Sequence, residues 1–181
     1  MAGAARFQKM ITRGSMPNES MANTGTTPRK MAAAEGSIAV NAPVDAIYKS
    51  WLAFEDYPKF ITAIKRVRKL DANHFVVVLA FSGKQYEAML EIMLRVPERR
   101  LAWRTIPNGQ ARDHLASGVV SFASLSDHGT RVTLKLTSSF GGNVSHRVDK
   151  YLRNFKRLIE ARRKGSDLFI PRTREHASPL E

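Results

Sequence analysis

The sequence predicts an α+β fold, in which a long C-terminal helix covers one face of an antiparallel sheet of about seven strands, and two short helices follow the first strand. Within residues 62–140, several segments alternate between apolar and polar side chains, as strands with one buried face do. Gly, Pro, Asn and Asp residues separate these segments and indicate turns. Residues 144–164 instead follow the helical period, with one apolar and one basic face.

The chain is expected to divide into a mobile tail (residues 1–33), one folded domain (residues 34–165) and a second tail (residues 166–181). The tails show neither period, and they bury too little apolar area to offset the entropy lost on ordering. The final Leu180-Glu181 is typical of an expression-vector remnant. A length of 181 residues suits one domain with a sizeable core.

The first strand is expected around Ile38 and Val40, which alternate with small residues. Pro43 suits the first turn of a helix, because the N–H that proline lacks would have no partner there. The apolar residues that follow share one helical face: Val44, Ile47, Tyr48, Trp51 and Leu52. Residues 54–60 break this pattern and predict the second short helix.

The remaining strands are expected between residues 62 and 140. Gly83 marks a hairpin turn between an apolar run and a strictly alternating segment that includes Leu90 and Leu94. The expected strands span residues 62–71, 74–81, 84–95, 101–105, 113–125 and 129–140. Each has a polar face, so one face of the sheet should contact water.

The last element is a helix over residues 144–164, and Gly165 suits the position that follows a helix end. Its apolar face comprises Val144, Val148, Tyr151, Leu152, Phe155, Leu158 and Ile159. The opposite, basic face comprises Arg147, Lys150, Arg153, Lys156, Arg157 and Arg163. The apolar face is expected to cover the dry face of the sheet.

Composition narrows the possible functions. The chain has no cysteine, which excludes disulfides, thiolate metal sites and a cysteine nucleophile, and which favours a reducing compartment such as the cytoplasm. No apolar run approaches the roughly 20 residues that a membrane span needs. The five histidines lack metal-ligand spacing, and neither a G-x-S-x-G motif nor a P-loop is present. No metal and no cofactor are therefore expected.

The net charge of +13 attracts phosphate groups, or serves only to keep the protein in solution. The candidate phosphate-binding residues lie on the second strand and on the last helix: Lys65, Arg66, Arg68, Lys69, Arg147, Lys150, Arg153 and Arg157. Few aromatic residues lie between them, so base stacking is not indicated, and no DNA partner is expected.

The inward faces supply the candidate ligand-binding residues, each of which is alternatively a plain core residue. They are Phe60, Tyr86, Leu90, Trp103, His114, Phe122, Leu136, Tyr151 and Phe155. His114 and Tyr86 are also weak catalytic candidates, because strand alternation places each on an apolar face where it could hydrogen-bond a carbonyl or transfer a proton. The alternative for His114 is a hydrogen-bonded histidine at a strand end.

Several segments, in this order, resemble the START-like superfamily, also called SRPBCC or polyketide cyclase/dehydrase, and within it the coenzyme Q-binding START family. They are S-I-A-V-N-A-P-V-D-A-I-Y (37–48), F-E-D-Y-P-K-F (54–60), L-A-W-R (101–104), G-V-V-S-F (118–122), G-T-R-V-T-L (129–134) and Y-L-R-N-F-K-R-L-I-E (151–160). The resemblance implies a helix-grip fold, in which a curved sheet wraps around the long helix and encloses an apolar cavity.

Three functions follow from these residues and this resemblance. The favoured one is binding or transport of an apolar small molecule, namely an isoprenoid quinone, a lipid or a polyketide-like compound. A cavity under roughly 150 Å³ would argue strongly against it. The second is a cyclase or dehydratase, which needs a polar group with a perturbed pKa inside the cavity. The third is docking on a ribosome, since a bacterial ribosome-association toxin belongs to the resembled family, or on an anionic membrane. A monomer or weak dimer is expected.

Overall fold

The computed structural model describes residues 30–107 and 115–167, with side chains described as far as residue 165. Its strands are β1 (Ala32–Val40), β2 (Ile64–Lys69), β3 (His74–Phe81), β4 (Lys84–Val96), β5 (Arg100–Ile106), β6 (Ala116–Ser124) and β7 (Thr130–Ser138). Its helices are α1 (Val44–Leu52), a 3₁₀ helix (Phe54–Lys59) and α2 (Val144–Asp167).

The seven strands form one antiparallel sheet in the order β1-β7-β6-β5-β4-β3-β2. Strands β2 to β7 pair with their neighbours in sequence, and β1 crosses over to pair with β7. The curved sheet packs around α2, which confirms the helix-grip arrangement and the fold class that the sequence predicts.

Alternation of side chains builds the inner face of the sheet. On β3, Phe75, Val77 and Leu79 are buried, whereas the residues between them keep partial exposure. The apolar stripe of α2 closes this face, and Val148 and Phe155 are completely buried within it. At Gly36, a Cβ atom would come within 2.9 Å of Val148 Cγ1, so only glycine permits this approach of β1 to α2.

An aromatic cluster joins α1, the 3₁₀ helix and α2. Trp51 lies at its centre, with ring centroids 5.8 Å from Tyr57, 5.3 Å from Phe60 and 4.9 Å from Phe155. All four side chains are at most 2% exposed. Large rings of this kind contribute much apolar burial with few rotors to restrict, so the cluster anchors the short helices to α2.

The structure differs from the sequence-based predictions in three places. Strand β1 begins at Ala32, inside the expected tail, because it pairs with β7 along its whole length. Helix α2 continues through Asp167, so Gly165 does not end it. Leu94 is 42% exposed, because a register shift between Ile92 and Leu94 interrupts the alternation of β4. Residues 1–29 and 168–181 of the two expected tails lie outside the described residues.

Candidate functional site

A cavity lies between the inner face of the sheet and α2, and its volume is about 70 Å³. Its wall comprises Trp51, Tyr57, Ile61, Ala63, Ile64, Val77, Leu79, Phe81, Leu90, Trp103, Thr105, Ala116, Leu134, Leu136, Ser138, Phe140, Arg147 and Tyr151. Most of these side chains are apolar. Phe81, Trp103, Ala116 and Arg147 keep partial exposure, so the cavity is open to solvent on this side.

The cavity is smaller than roughly 150 Å³, the volume below which the sequence-based prediction counts strongly against binding of an apolar ligand. One water molecule needs about 10–15 Å³ measured in this way, so the space corresponds to roughly five waters. The reason is the number of large rings on the wall, since Trp51, Phe81 and Trp103 occupy volume that smaller side chains would leave open.

One cross-strand row sets the floor of the cavity. Trp103 on β5 pairs with Gly118 on β6, and Gly118 pairs with Leu136 on β7. A Cβ atom at Gly118 would lie 2.5 Å from Trp103 Cζ2, so the missing side chain is what makes room for the indole ring. The ring therefore covers Gly118 on β6, and Leu136 on β7 also belongs to the wall.

Three residues pack together at one end of the cavity wall: Phe81, Phe140 and Arg147. The rings of Phe81 and Phe140 stack, with centroids 4.4 Å apart and an interplanar angle of 21°. The Arg147 Cζ atom lies 5.4 Å from the centroid of the Phe81 ring. Arg147 Nη2 also donates a hydrogen bond to the Phe140 carbonyl oxygen, at 3.1 Å.

Arg147 therefore does not belong to the exposed basic face on which the sequence placed it. It is half-buried on the cavity wall, and its Nε atom is buried with no acceptor among the described residues. The position was misjudged because helical spacing alone could not show that the first turn of α2 extends over the open side of the cavity. Tyr151 lies one helical turn further along the same face.

Other polar groups on the wall have partners within the protein. Thr105 Oγ1 accepts a hydrogen bond from the Ala116 backbone N–H at 2.8 Å and donates one to the Ala116 carbonyl at 3.2 Å. Ser138 Oγ accepts the Phe140 backbone N–H at 3.1 Å, and the Tyr57 hydroxyl donates to the Trp51 carbonyl at 2.9 Å. These groups hold the wall in shape.

Two tyrosines on the wall have raised pKa values. Burial raises the pKa of Tyr57 well above its usual range, because the phenolate would lose its hydration. Burial also raises the pKa of Tyr151, and the positive charge of Arg147 opposes part of that shift. The raised pKa values extend the pH range over which both side chains stay protonated above the usual tyrosine value of about 10.

The structure brings four of the nine predicted ligand-binding residues to the cavity: Leu90, Trp103, Leu136 and Tyr151. The others are placed elsewhere or are not described. Phe60 and Phe155 pack against Trp51 in the aromatic cluster, and Phe122 makes an edge-to-face contact with Tyr48 at 5.7 Å. Tyr86 lies beside Phe140, with ring centroids 6.4 Å apart, and is not among the described lining residues. His114 lies outside the described residues.

The sequence reasoning missed several wall residues. Trp51 and Tyr57 were predicted only as residues of the short helices. Large rings on short helices that precede a sheet could have indicated that these helices contribute to the cavity wall. Phe81 and Phe140 each end a strand or follow one, where alternation gives no direction. Thr105 and Ser138 gave no signal, because their hydroxyl groups serve the backbone.

The other predicted basic residues are exposed. Lys65, Arg66, Arg68 and Lys69 lie on the edge strand β2, and Lys150, Arg153 and Arg157 lie on the outer face of α2. Within residues 30–107 and 115–165, none of these seven forms an ion pair. In contrast, Arg162 pairs with Asp56 at 2.8 Å, and Arg163 donates to Asn41.

The described residues contain no group of three or more His, Asp or Glu side chains that could hold a metal ion. None of their helices is both long enough and apolar enough to cross a bilayer.

Comparisons with known proteins agree with this geometry. A family model described as polyketide cyclase / dehydrase and lipid transport matches residues 40–158. An uncharacterised 17.2 kDa protein of Streptomyces lincolnensis is 33% identical over 144 residues, which cover 73% of this chain and 92% of that protein.

Solved structures share the fold at low sequence identity. A START superfamily protein from Mycobacterium smegmatis has a TM-score of 0.58 and 14% identity, over 74% of this chain and 98% of that one. An aromatase/cyclase from Streptomyces sp. R1128 has a TM-score of 0.52 and 16% identity, over 77% of this chain and 90% of that one.

Proposed function

Because this chain belongs to the polyketide cyclase / dehydrase and lipid transport family, we propose that it binds a small, largely apolar molecule between its sheet and α2 without transforming it. The observation that carries this proposal is the composition of the wall. The described lining residues include no carboxylate and no imidazole, so they offer apolar contact but no ordinary general base. Burial of apolar ligand surface supplies about 25 cal/mol per Å².

The cavity volume limits what the ligand can be. About 70 Å³ does not hold a whole isoprenoid quinone, lipid or polyketide-like molecule, which are the three ligand classes expected from the resemblance. A ring or short chain occupies the interior, and any longer part extends through the open side beside Phe81 and Trp103. The absence of cysteine agrees with a cytoplasmic protein of this kind.

The test is a titration of the protein with naphthalene, in which ligand-detected NMR measures binding. Ala116→Leu places a larger side chain on the half-buried wall of β6 and should weaken binding at least tenfold. Ala123→Leu adds the same group to the exposed end of the same strand and should leave binding unchanged. If the unaltered protein does not bind naphthalene, or if both variants bind equally well, the cavity is not a ligand site.

A second candidate is a cyclase, which one observation favours. Tyr151 is a protonated hydroxyl on the cavity wall, beside the positive charge of Arg147, and this pair suits donation to a carbonyl oxygen on which negative charge develops. Incubation with a poly-β-ketone thioester would reveal cyclised product by mass spectrometry. Tyr151→Phe should then slow formation of the cyclised product. If the unaltered protein forms this product no faster than buffer alone does, the cyclase candidate is excluded.

A third candidate concerns the exposed surface. Lys150, Arg153 and Arg157 are free cations within the described region, and several such charges bind phosphate groups with a steep dependence on salt. Replacing all three by glutamate should abolish sedimentation with ribosomes or with anionic vesicles and leave the core folded. If neither association occurs at low salt, the charge serves another purpose.

A further inference from the structure

Arg147 is held in place by groups that do not neutralise it. The Phe81 ring contacts its guanidinium face, and the Phe140 carbonyl accepts one of its N–H groups. No carboxylate lies within ion-pair distance of it in the described part of the chain. A cation beside an apolar cavity is unfavourable when the protein provides no counter-ion. An anionic group on the ligand would supply that counter-ion and form an ion pair with Arg147.

The surroundings of Arg147 add positive potential instead of offsetting it. Arg147 is the fourth residue of α2, and the first turn of that helix has no acidic side chain. The N–H groups at a helix N-terminus carry a partial positive charge, which disfavours a cation and favours an anion. A cation at this position is therefore explained better by what it binds than by the stability of the helix.

In the described part of the chain, the two buried side-chain polar atoms that lack a partner are both donors. Arg147 Nε and Trp51 Nε1 are buried and find no acceptor among the described residues. Tyr151, one helical turn from Arg147, adds a hydroxyl group to the same wall. The wall thus has unused donors but no unused carboxylate or imidazole acceptor, so it matches a ligand that brings acceptor oxygens.

From this arrangement we propose that Arg147 anchors an anionic oxygen group, so that the ligand is an apolar body bearing one carboxylate. The Nε and a terminal N–H of the guanidinium can hold the two carboxylate oxygens side by side, as such forks commonly do. The apolar part then lies against Trp103 and Leu136. The proposal rests on the proposed binding function and names the chemical class of the ligand.

The experiment compares two ligands of nearly equal shape, 1-naphthoate and 1-naphthamide, by isothermal titration calorimetry at neutral pH. The unaltered protein should bind the carboxylate at least tenfold more tightly than the amide. Arg147→Met keeps the apolar stem and removes the charge, so it should lower carboxylate affinity at least tenfold and amide affinity by a much smaller factor, because the amide can accept a hydrogen bond but carries no charge.

Two further variants control for folding and for general electrostatics. Arg153→Met removes a charge from the outer face of the same helix and should change neither affinity. Arg147→Lys keeps a charge without the fork and should retain part of the preference, which tests the proposal even if Arg147→Met fails to fold.

The outcomes separate the two proposals. Equal affinity for both ligands in the unaltered protein overturns the role of Arg147 and leaves cavity binding intact. A carboxylate preference that persists in Arg147→Met also overturns that role. Failure of both ligands and of naphthalene to bind overturns the binding function itself, and the anchor with it.

Discussion

The indole ring of Trp103 lies so close over Gly118 that a Cβ atom there would sit 2.5 Å from Cζ2 and 2.7 Å from Nε1. The two residues face each other across β5 and β6. Real Cβ atoms essentially never make contacts this short, and the obstacle is a rigid ring. The shape of the cavity floor therefore depends on a residue that contributes no side chain to it.

Gly118→Ala should destabilise the protein by about 1–3 kcal/mol, because the added methyl group forces the indole ring or the strand to move. Urea unfolding would measure the loss. Gly141→Ala is the matched control, since nothing lies within 4 Å of a Cβ at that position, and its effect should stay within about 0.5 kcal/mol. The double variant Gly118→Ala/Trp103→Leu should recover part of the stability that Gly118→Ala loses. Equal free energies of unfolding for Gly118→Ala and Gly141→Ala would contradict this account.

Thr105→Val should cost about 1–3 kcal/mol, because the Thr105 hydroxyl bonds both the N–H and the carbonyl of Ala116, and valine would leave that N–H unpaired. Thr137→Val is the control, since Thr137 is half-buried on β7 and forms no side-chain hydrogen bond within the described residues. The comparison uses urea unfolding. A cost no larger than that of the control would show that water replaces the hydroxyl.

Phe155→Ala should lower the free energy of unfolding by about 3–5 kcal/mol, since the ring is fully buried against Trp51 and Phe60. Phe155→Leu should cost less, because it leaves a smaller void. Phe155 is outside the cavity lining, so Phe155→Leu should keep naphthalene affinity within about twofold. A large loss of affinity with unchanged stability would restore Phe155 as a ligand-binding residue.

Stability should fall as the pH rises above about 10, where tyrosine in the unfolded chain begins to ionise. Burial raises the pKa of Tyr57 and Tyr151 in the folded state, so the folded chain keeps protons that the unfolded chain releases. The stability that each tyrosine contributes is fully present below about pH 10. It is lost as the pH rises from there to the raised pKa of the folded state, and the loss is at most about 1.4 kcal/mol per pH unit for each group. Unfolding midpoints measured on both sides of this pH would show the trend.

Tyr57→Phe and Tyr151→Phe are the controls for that trend. Each should make the decline with pH less steep, whatever it does to stability at neutral pH. Arg147→Met should extend the decline due to Tyr151 to higher pH, since the arginine charge opposes the rise of its pKa. An unchanged slope in both phenylalanine variants would assign the decline to other groups.

The fold was predictable because strand alternation and helical spacing are properties of a single segment. Ile38, Leu136 and Phe155 fall on the faces that these periods assign to them. Leu94 does not, because a register shift depends on how two strands pair, and one strand alone carries no sign of it.

The cavity wall was less predictable, because it depends on where separate elements meet. Arg147 occupies the basic stripe of α2 by spacing, yet the Phe81 ring and the Phe140 carbonyl oxygen hold it at the cavity wall. Conversely, Phe60 and Phe155 face inward as expected, but they fill space around Trp51. Inward direction can be read from a period, whereas the distinction between core and cavity requires the packed neighbours.

The four basic side chains of β2 have a consequence that needs no phosphate partner. Strand β2 is an edge of the sheet and, within the described residues, pairs only with β3; the free side of such an edge is where a strand of another molecule could add. Two copies meeting along this edge would bring Lys65, Arg66, Arg68 and Lys69 against the same cations of the second copy. Charged edges of this kind oppose strand addition between molecules, so the charge of β2 protects the protein from aggregating through its own sheet.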